Sequence, residues 1–267
     1  MPEGDTAWRA ARTLDRALTG QMLTATDFRV PALATADLSG ATVLETVSRG
    51  KHLLTRLDTG WTIHTHLRME GTWAVHARGT RWRRPAHTAR LVLQTDTTEA
   101  VGFSVVVRLV KTTHEDELTG HLGPDLLGPD WDPAEAAARL GRAPDTPVAD
   151  ALLDQRNLAG IGNVYKCELC FLLGIAPHTL IGQVDNLRRM VDLAHELLTA
   201  NRDRPVRVTT GDTRAGRTTW VYGRRGPCLR CGTPIRCDRV GAQGRDRTTW
   251  WCPSCQPMPA SSPGPTE

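Results

Sequence analysis

Lysine is almost missing from this chain: of its 33 Lys and Arg residues only Lys51, Lys111 and Lys166 are lysine. Where nearly every positive charge is a guanidinium, Lys51, inside a turn, points to what Arg lacks, a compact amine able to give up its proton. Long apolar runs are also absent. No stretch approaches the roughly 18 to 20 residues a membrane span requires, and charges occupy the N-terminal region where a signal peptide has its apolar core, so a soluble cytosolic protein is expected. Seven cysteines, an odd number, argue against a closed disulfide framework and for metal ligation or free thiols. Acids are scarce in one place. Between Asn201 and Trp251 there are twelve Arg, no Lys and only Asp203, Asp212, Asp238 and Asp246, a balance of +8 against +4 for the whole chain. That segment reads as a surface for a polyanion. A length of 267 residues suggests two domains, each able to bury a core.

The chain starts Met1-Pro2-Glu3. With a small second residue the initiator Met is expected to be trimmed, leaving Pro2 with a free secondary amine. An α-amino group titrates near ~7.7 to 8, so about a tenth is unprotonated at neutral pH. Attack on an aldehyde-level carbon would give an iminium, a fixed positive charge that draws electrons from neighbouring bonds. Glu3 beside it could serve as acid or base. Read alone, such a start is most often only a start. From Asp5 to Leu18 the apolar positions Ala7, Trp8, Ala11, Leu14 and Leu18 recur at helical spacing, and such a helix would hold Pro2 and Glu3 in place.

Residues 21 to about 112 read as strands of a β-sandwich or barrel-like domain: Val43 to Val47, the alternating Thr62 to Leu67 after an Asp58-Thr59-Gly60 turn, His87 to Val92, and Val101 to Val110. His64 and His66 share a strand face; no third metal ligand is obvious, and packing or hydrogen bonding is the expected role. Lys51 sits in the turn Ser48 to His52, and Arg68-Met69-Glu70-Gly71 closes a hairpin with Met69 at its tip. Leu122 to Asp130 and Arg142 to Pro147 punctuate the chain, with a short helix capped by Asp132-Pro133 between them. Helices follow over Pro147 to Gln155, Asn163 to Leu173 and Asp185 to Asn201. The Gly-rich turn Leu158 to Asn163 places backbone N–H groups at a helix N-terminus, a phosphate-binding geometry. Cys167 and Cys170 stand among apolar residues and read as core thiols. Cys228-x2-Cys231-x20-Cys252-x2-Cys255 has the two-knuckle spacing of a four-cysteine zinc site, closed by a hairpin whose strands are Thr233 to Arg239 and Arg245 to Trp251.

Taken together, Met1-Pro2-Glu3-Gly4, Arg49-Gly50-Lys51-His52, Leu122-Gly-Pro-Asp125, the run Asp154 to Tyr165, Val221-Tyr-Gly-Arg224 and Trp251-Cys-Pro-Ser-Cys-Gln256 resemble, in this order, the formamidopyrimidine-DNA glycosylase and endonuclease VIII family, in its endonuclease VIII branch. The resemblance covers residues 1 to 256. It implies an α+β fold: an N-terminal β-sandwich catalytic domain preceded by a helix (1–125), a linker (126–146), a helix-two-turn-helix DNA-binding domain (147–222), a four-cysteine zinc-ribbon finger (223–256) and a disordered tail (257–267). It further implies a bifunctional glycosylase and lyase of base excision repair that flips a damaged base out of the stack and cuts the strand by β,δ-elimination. The catalytic residues it implies are Pro2, the nucleophile at C1′; Glu3, the acid in opening the sugar; Lys51, a phosphate contact and proton donor in β-elimination; and Arg247, which grips phosphate and assists δ-elimination. Asn163 corresponds to a phosphate-binding Asn and Met69 to a wedge filling the hole left by the flipped nucleotide. The zinc ligands are Cys228, Cys231, Cys252 and Cys255. One structural zinc and no organic cofactor are expected, with damaged DNA as partner, no membrane, a monomeric state, and a cytoplasmic location that is nucleoid-associated on DNA.

Three departures stand out. Phe103-Ser-Val-Val-Val-Arg108 occupies the place of an Arg-x-Phe pair that inserts into the duplex in the oxidised-purine branch, which leaves void filling to Arg68 and Met69. Arg68 replaces a Gln found before the wedge, and His121 replaces an Arg before Gly-Pro-Asp that contacts DNA. In the oxidised-purine branch a longer insertion lies here and covers the flipped purine; by that resemblance the short stretch Thr209 to Val221 implies oxidised pyrimidines over 8-oxoguanine. The competing reading is a non-enzymatic zinc-finger DNA-binding protein in which Pro2 is inert.

Overall fold

The computed structural model describes residues 2–240 and 247–259; Met1, Arg245 and the tail from 260 onward lie outside the described residues. Helix α1, Gly4–Leu18, forms on the expected stripe: Ala7, Ala11, Leu14 and Leu18 are buried, and Gly20 at φ 76° follows its end. Eight strands come next: β1 Ala25–Phe28, β2 Val43–Arg49, β3 His52–Leu57, β4 Trp61–His66, β5 Thr72–Ala77, β6 Ala89–Gln94, β7 Thr98–Phe103 and β8 Val106–Lys111. They make two four-stranded sheets, ordered β1-β6-β7-β5 and β2-β3-β4-β8. Leu14 and Leu18 of α1 share one core with Leu53, Leu57 and Ile63 of one sheet and Leu91 and Leu93 of the other.

Read from sequence, 101–110 is one strand; the structure breaks it. Ser104 takes φ 52°, the left-handed region usually left to glycine, and its N–H donates to the Thr88 carbonyl at 2.7 Å. With neither Gly nor Pro at the break, no turn signal marks it. Similarly, the turn read over Ser48 to His52 narrows to Gly50 and Lys51, because Arg49 and His52 pair as the last rung of β2 and β3. The register then decides where the turns lie. Arg49 pairs with His52, His52 with His66 and His66 with Val106, while Thr72 and Ala89 both pair with Phe103. The turns at Gly50–Lys51, at 67–71 and at Ser104 therefore crowd one end of the sandwich.

The remaining helices are α2 Asp116–Thr119, α3 Pro133–Gly141, α4 Val148–Leu153, α5 Asn163–Leu173 and α6 Leu187–Asn201, followed by the hairpin β9 Arg236–Val240 and β10 Arg247–Trp251. Asp132 caps α3 as expected, accepting from the N–H groups of Ala134 and Glu135 at 2.8 and 3.1 Å. The segment 126–146 does not run free: Leu126, Ala136 and Leu140 sit in a second core with Leu152, Leu158, Tyr165, Met190 and Leu198. At the centre lies α5, buried from Asn163 to Phe171 with its polar Asn163, Lys166 and Glu168 included, so these groups must find partners inside the protein. Its far face, Cys167 and Phe171, meets Val221, Cys228 and Cys252.

Candidate active site and DNA interface

The sandwich presents its crowded end to the N-terminus of α5, and the first residues of the chain lie in that junction. The Gly4 N–H donates to the Gly160 carbonyl at 2.8 Å. A Cβ on Gly4 would stand 2.9 Å from the Gly160 Cα, so neither chain could approach this closely with a side chain there. Beside this contact the fully buried Glu3 carboxylate accepts N–H bonds from Gly162 (2.9 Å), Val164 (2.7 Å) and Tyr165 (3.3 Å). These donors belong to the first turn of α5, where backbone N–H groups have no intrahelical partner and the helix dipole favours negative charge. The expected phosphate cradle at this turn thus holds a carboxylate of the protein itself. Pro2, half-buried, is carried by the same anchor.

Asp5 fixes the next residue. Its carboxylate takes a two-pronged contact from Arg207, at 2.5 and 2.8 Å, and the Tyr165 hydroxyl at 3.0 Å. Burial would raise the Asp5 carboxyl, but the hydrogen bonds and charge of Arg207 hold it below its ordinary value. Arg207 was counted with the basic surface in the sequence; the structure half-buries it, with its guanidinium 4.7 Å from the Tyr165 ring. On the other side, Lys51 Nζ donates to the Ile161 carbonyl. Burial pushes the Lys51 amine down to about 8, with Glu3 opposing the shift and Arg207 and Arg247 adding to it. The β2–β3 turn that carries it is clamped by Asp125, whose Oδ2 accepts the Gly50 N–H at 2.7 Å.

Next to Lys51 the register brings three imidazoles together. His52 Nδ1 lies 2.8 Å from His64 Nε2, and the His52 ring meets His66 edge-on at 5.1 Å. His52 was missed from sequence, although a tight β2–β3 and β3–β4 meander puts it opposite His66. Burial, then neighbouring charge including Lys51, Arg68 and Arg108, lowers His52 and His64 to about 4 and His66 to about 3. They are neutral hydrogen-bonding groups at physiological pH, in keeping with the expected role. Beyond them, Arg68 adopts φ 52° in the β4–β5 turn and Met69 is 65% exposed at its tip rather than folded into the core. Non-glycine residues at positive φ in two adjacent turns, Arg68 and Ser104, are backbone strain of the kind found at functional edges. His121 is exposed, near enough to His52 to influence its charge.

The zinc-finger side is tied to the same helix. Asn163 Nδ2 donates to the Thr248 carbonyl at 2.8 Å, next to Arg247, while its buried Oδ1 has no hydrogen-bond partner among the described residues. The buried Lys166 amine reaches Thr249 Oγ1 at 2.5 Å. Glu168, also buried, accepts the N–H groups of Trp220, Val221 and Tyr222 at 2.7, 2.9 and 2.9 Å, and the Thr209 hydroxyl, so it closes the short 209–221 loop. None of Lys166, Glu168 or Asp5 carries a motif signal in sequence. Four thiols, Cys228, Cys231, Cys252 and Cys255, lie within 4.8 Å of one another, with Sγ pairs at 3.9 and 3.5 Å. A tetrahedral ion about 2.3 Å from each sulfur needs edges of about 3.8 Å, so these four can hold one metal. Cys167 and Cys170 are buried and their thiols are pushed up to about 11 and about 12 by burial, while Cys237 is exposed.

Residues 1–109 match the family model described as the formamidopyrimidine-DNA glycosylase N-terminal domain. Across nearly the whole chain, a protein of Streptomyces coelicolor called probable endonuclease 8 2 is 55% identical, covering 99% of this chain and 97% of that one. The chain belongs to the formamidopyrimidine-DNA glycosylase and endonuclease VIII family. Its place in the endonuclease VIII branch agrees with a second relative, the DNA-(apurinic or apyrimidinic site) lyase Nei2 of Mycolicibacterium smegmatis, 49% identical over 96% of this chain and 99% of that one. Among solved structures, the formamidopyrimidine DNA glycosylase of Lactococcus lactis bound non-covalently to DNA with an AP site is 22% identical and superposes with a TM-score of 0.79, covering 96% of this chain and all of that one. The family's α+β architecture, sandwich, helices and four-cysteine hairpin, is the one described above.

Proposed function

We propose that this chain is a bifunctional DNA glycosylase and AP lyase of base excision repair. The observation that carries it is the seat of Glu3: a carboxylate held by three backbone N–H groups at a helix N-terminus fixes the first residues of the chain beside Lys51. A protein that only gripped phosphate would leave those N–H groups facing DNA. In this reading, trimming of Met1 frees the Pro2 nitrogen, whose lone pair attacks C1′ of the damaged nucleotide. The C1′–N bond breaks and the base leaves with the bonding pair and a proton. Opening of the sugar, with Glu3 as acid toward its ring oxygen, gives the Pro2 iminium. A base takes the C2′ proton while its C–H pair flows into the iminium; the enamine so formed expels the 3′ phosphate, and δ-elimination then expels the 5′ phosphate.

Lys51 and Arg247 are the cations for these phosphates, and the lowered Lys51 amine suits it to passing a proton near neutral pH. Asn163 spends one amide hydrogen on Thr248 and keeps a second for a phosphate. Exposed Met69, with Arg68, serves as the wedge, and His121 is a further contact. The four thiolates would hold one structural zinc, which supplies folding energy to the hairpin bearing Arg247. We take oxidised pyrimidines as preferred bases because Glu168 pins the 209–221 loop short, with nothing to fold over a flipped purine. The protein acts on DNA as a monomer in this reading.

Borohydride reduction tests the chemistry. It should freeze the iminium as a covalent adduct on abasic duplex, and a residue left in front of Pro2 should abolish trapping, because an amide nitrogen has no basic lone pair. Equal trapping by the blocked protein would remove Pro2 and make Lys51 the nucleophile to test next.

A further inference from the structure

The connection from β5 to β6 has no part in the site above, and its path is unusual for an antiparallel sheet. Both strands pair antiparallel to β7, so they run parallel to each other, and residues 78–88 must cross the sheet from one end to the other. The crossing starts at the end away from the active site, where the Arg78 N–H donates to the Thr97 carbonyl at 2.9 Å. It finishes at the active-site end, where Thr88 accepts from Ser104 at 2.7 Å. Trp82 pins it midway on the face opposite the main core. The Trp82 ring stands edge-on to Phe103 at 5.6 Å, its Nε1 donates to Glu99 at 2.6 Å, and Arg29 lies over its other face at 5.2 Å.

On this pinned strap Arg81, Arg83 and Arg84 are all exposed. None has a carboxylate partner among the described residues, whereas Arg188 is matched to Asp192, Arg189 to Glu196 and Arg214 to Asp212. The strap leads towards the end of the sandwich that bears Met69 and Ser104. Unpaired guanidiniums held by an anchored aromatic are what a run of phosphates requires, since ordering costs are already met by the anchor. We propose that Arg81, Arg83 and Arg84 form an additional DNA-backbone contact, gripping duplex phosphates beyond the wedge on the side of the sandwich away from the zinc finger. The surface rests on DNA being the substrate; it concerns reach and affinity, not the chemistry at Pro2.

The test compares the full-length protein with an Arg81→Ser/Arg83→Ser/Arg84→Ser variant on a long duplex bearing a stable abasic analogue, titrated between about 50 and 200 mM salt. Each phosphate contact adds roughly 0.9 to the salt slope, so the variant should lose about 2 to 3 from it, making the affinity gap roughly 40-fold wider at the low-salt end. Shortening the duplex on one side of the lesion should bring the wild type down to the variant, while shortening the other side should not. An Arg188→Ser/Arg189→Ser variant, which removes charge on α6, should keep the wild-type slope, and adduct yield at saturating protein should be the same for all. An unchanged slope in the strap variant, or an equal fall in the α6 variant, overturns the proposal while leaving the glycosylase reading standing. Failure of the wild type to bind duplex at all would instead sink the DNA reading, and this surface with it.

Discussion

Gly162→Ala is the sharpest probe of the Glu3 seat. Gly162 has φ −126° and ψ −161°, extended backbone that alanine adopts freely, so the substitution carries no conformational strain of its own. Its whole cost is steric. The added Cβ would stand 2.5 Å from Glu3 Cδ, 2.6 Å from Cγ and 2.7 Å from Oε1. Carbon atoms rest about 3.5 to 4 Å apart, so the carboxylate must retreat by about 1 Å. That moves its bonds to the Gly162 and Val164 N–H groups, now 2.9 and 2.7 Å, past the limit of a hydrogen bond. Two hydrogen bonds to a charged group at about 1.5 to 3 kcal/mol each set an upper bound of about 3 to 6 kcal/mol, reduced by whatever the loop yields. Because Pro2 hangs from the same anchor, a displacement of about 1 Å should slow single-turnover base excision by ~10²-fold. Thermal or denaturant unfolding supplies the partition. On a Glu3→Ala background Gly162→Ala should be close to neutral for stability, since the atoms it strikes are gone. Should Gly162→Ala excise at the wild-type rate, or destabilise both backgrounds equally, the seat does not position the N-terminus and the reasoning fails.

The lowered Lys51 amine makes kcat/KM for strand cleavage fall as pH rises through about 8, and Lys51→Arg should flatten that limb while keeping binding better than turnover. The same shift sets a stability sign: between about 8 and the ordinary 10.5 the unfolded chain holds the proton that the folded chain has lost. Folding stability from this group therefore rises with pH across that window, which a pH series of unfolding curves on wild type and Lys51→Met will show. Cys228→Ser should lose the bound zinc and Cys167→Ser should keep it, as metal analysis will report; equal loss in both contradicts the four-thiolate site. Thymine glycol should be excised faster than 8-oxoguanine opposite cytosine in single-turnover assays, and the reverse order would refute the short-loop argument.

Much of the fold is legible in the residues because its signals are local. The α1 stripe, the Asp132 cap and the two cysteine knuckles each depend on spacing within one element, where backbone geometry alone dictates which side chains face together. Other features gave no such signal. The break at Ser104 has no Gly or Pro to mark it, only a single Ser between Phe103 and Val105, and its N–H bond to Thr88, brought near by sheet pairing, fixes it. His52 joins His64 and His66 through strand register, which is settled by the whole sandwich.

The sequence by itself determined that Pro2, Glu3, Lys51, Asn163 and the four cysteines were the residues to watch, since their chemistry is intrinsic and their order along the chain resembles one family. Tertiary structure alone decided what they do to each other. Glu3 meets the first turn of α5 across 159 residues of chain, Asp5 meets Arg207 across 202, and Asn163 meets Thr248 across 85. No periodicity spans such gaps. It took the packing of the sandwich against α5 to turn Arg207 from surface charge into a half-buried partner of Asp5, and to lower the Lys51 amine by withdrawing it from water.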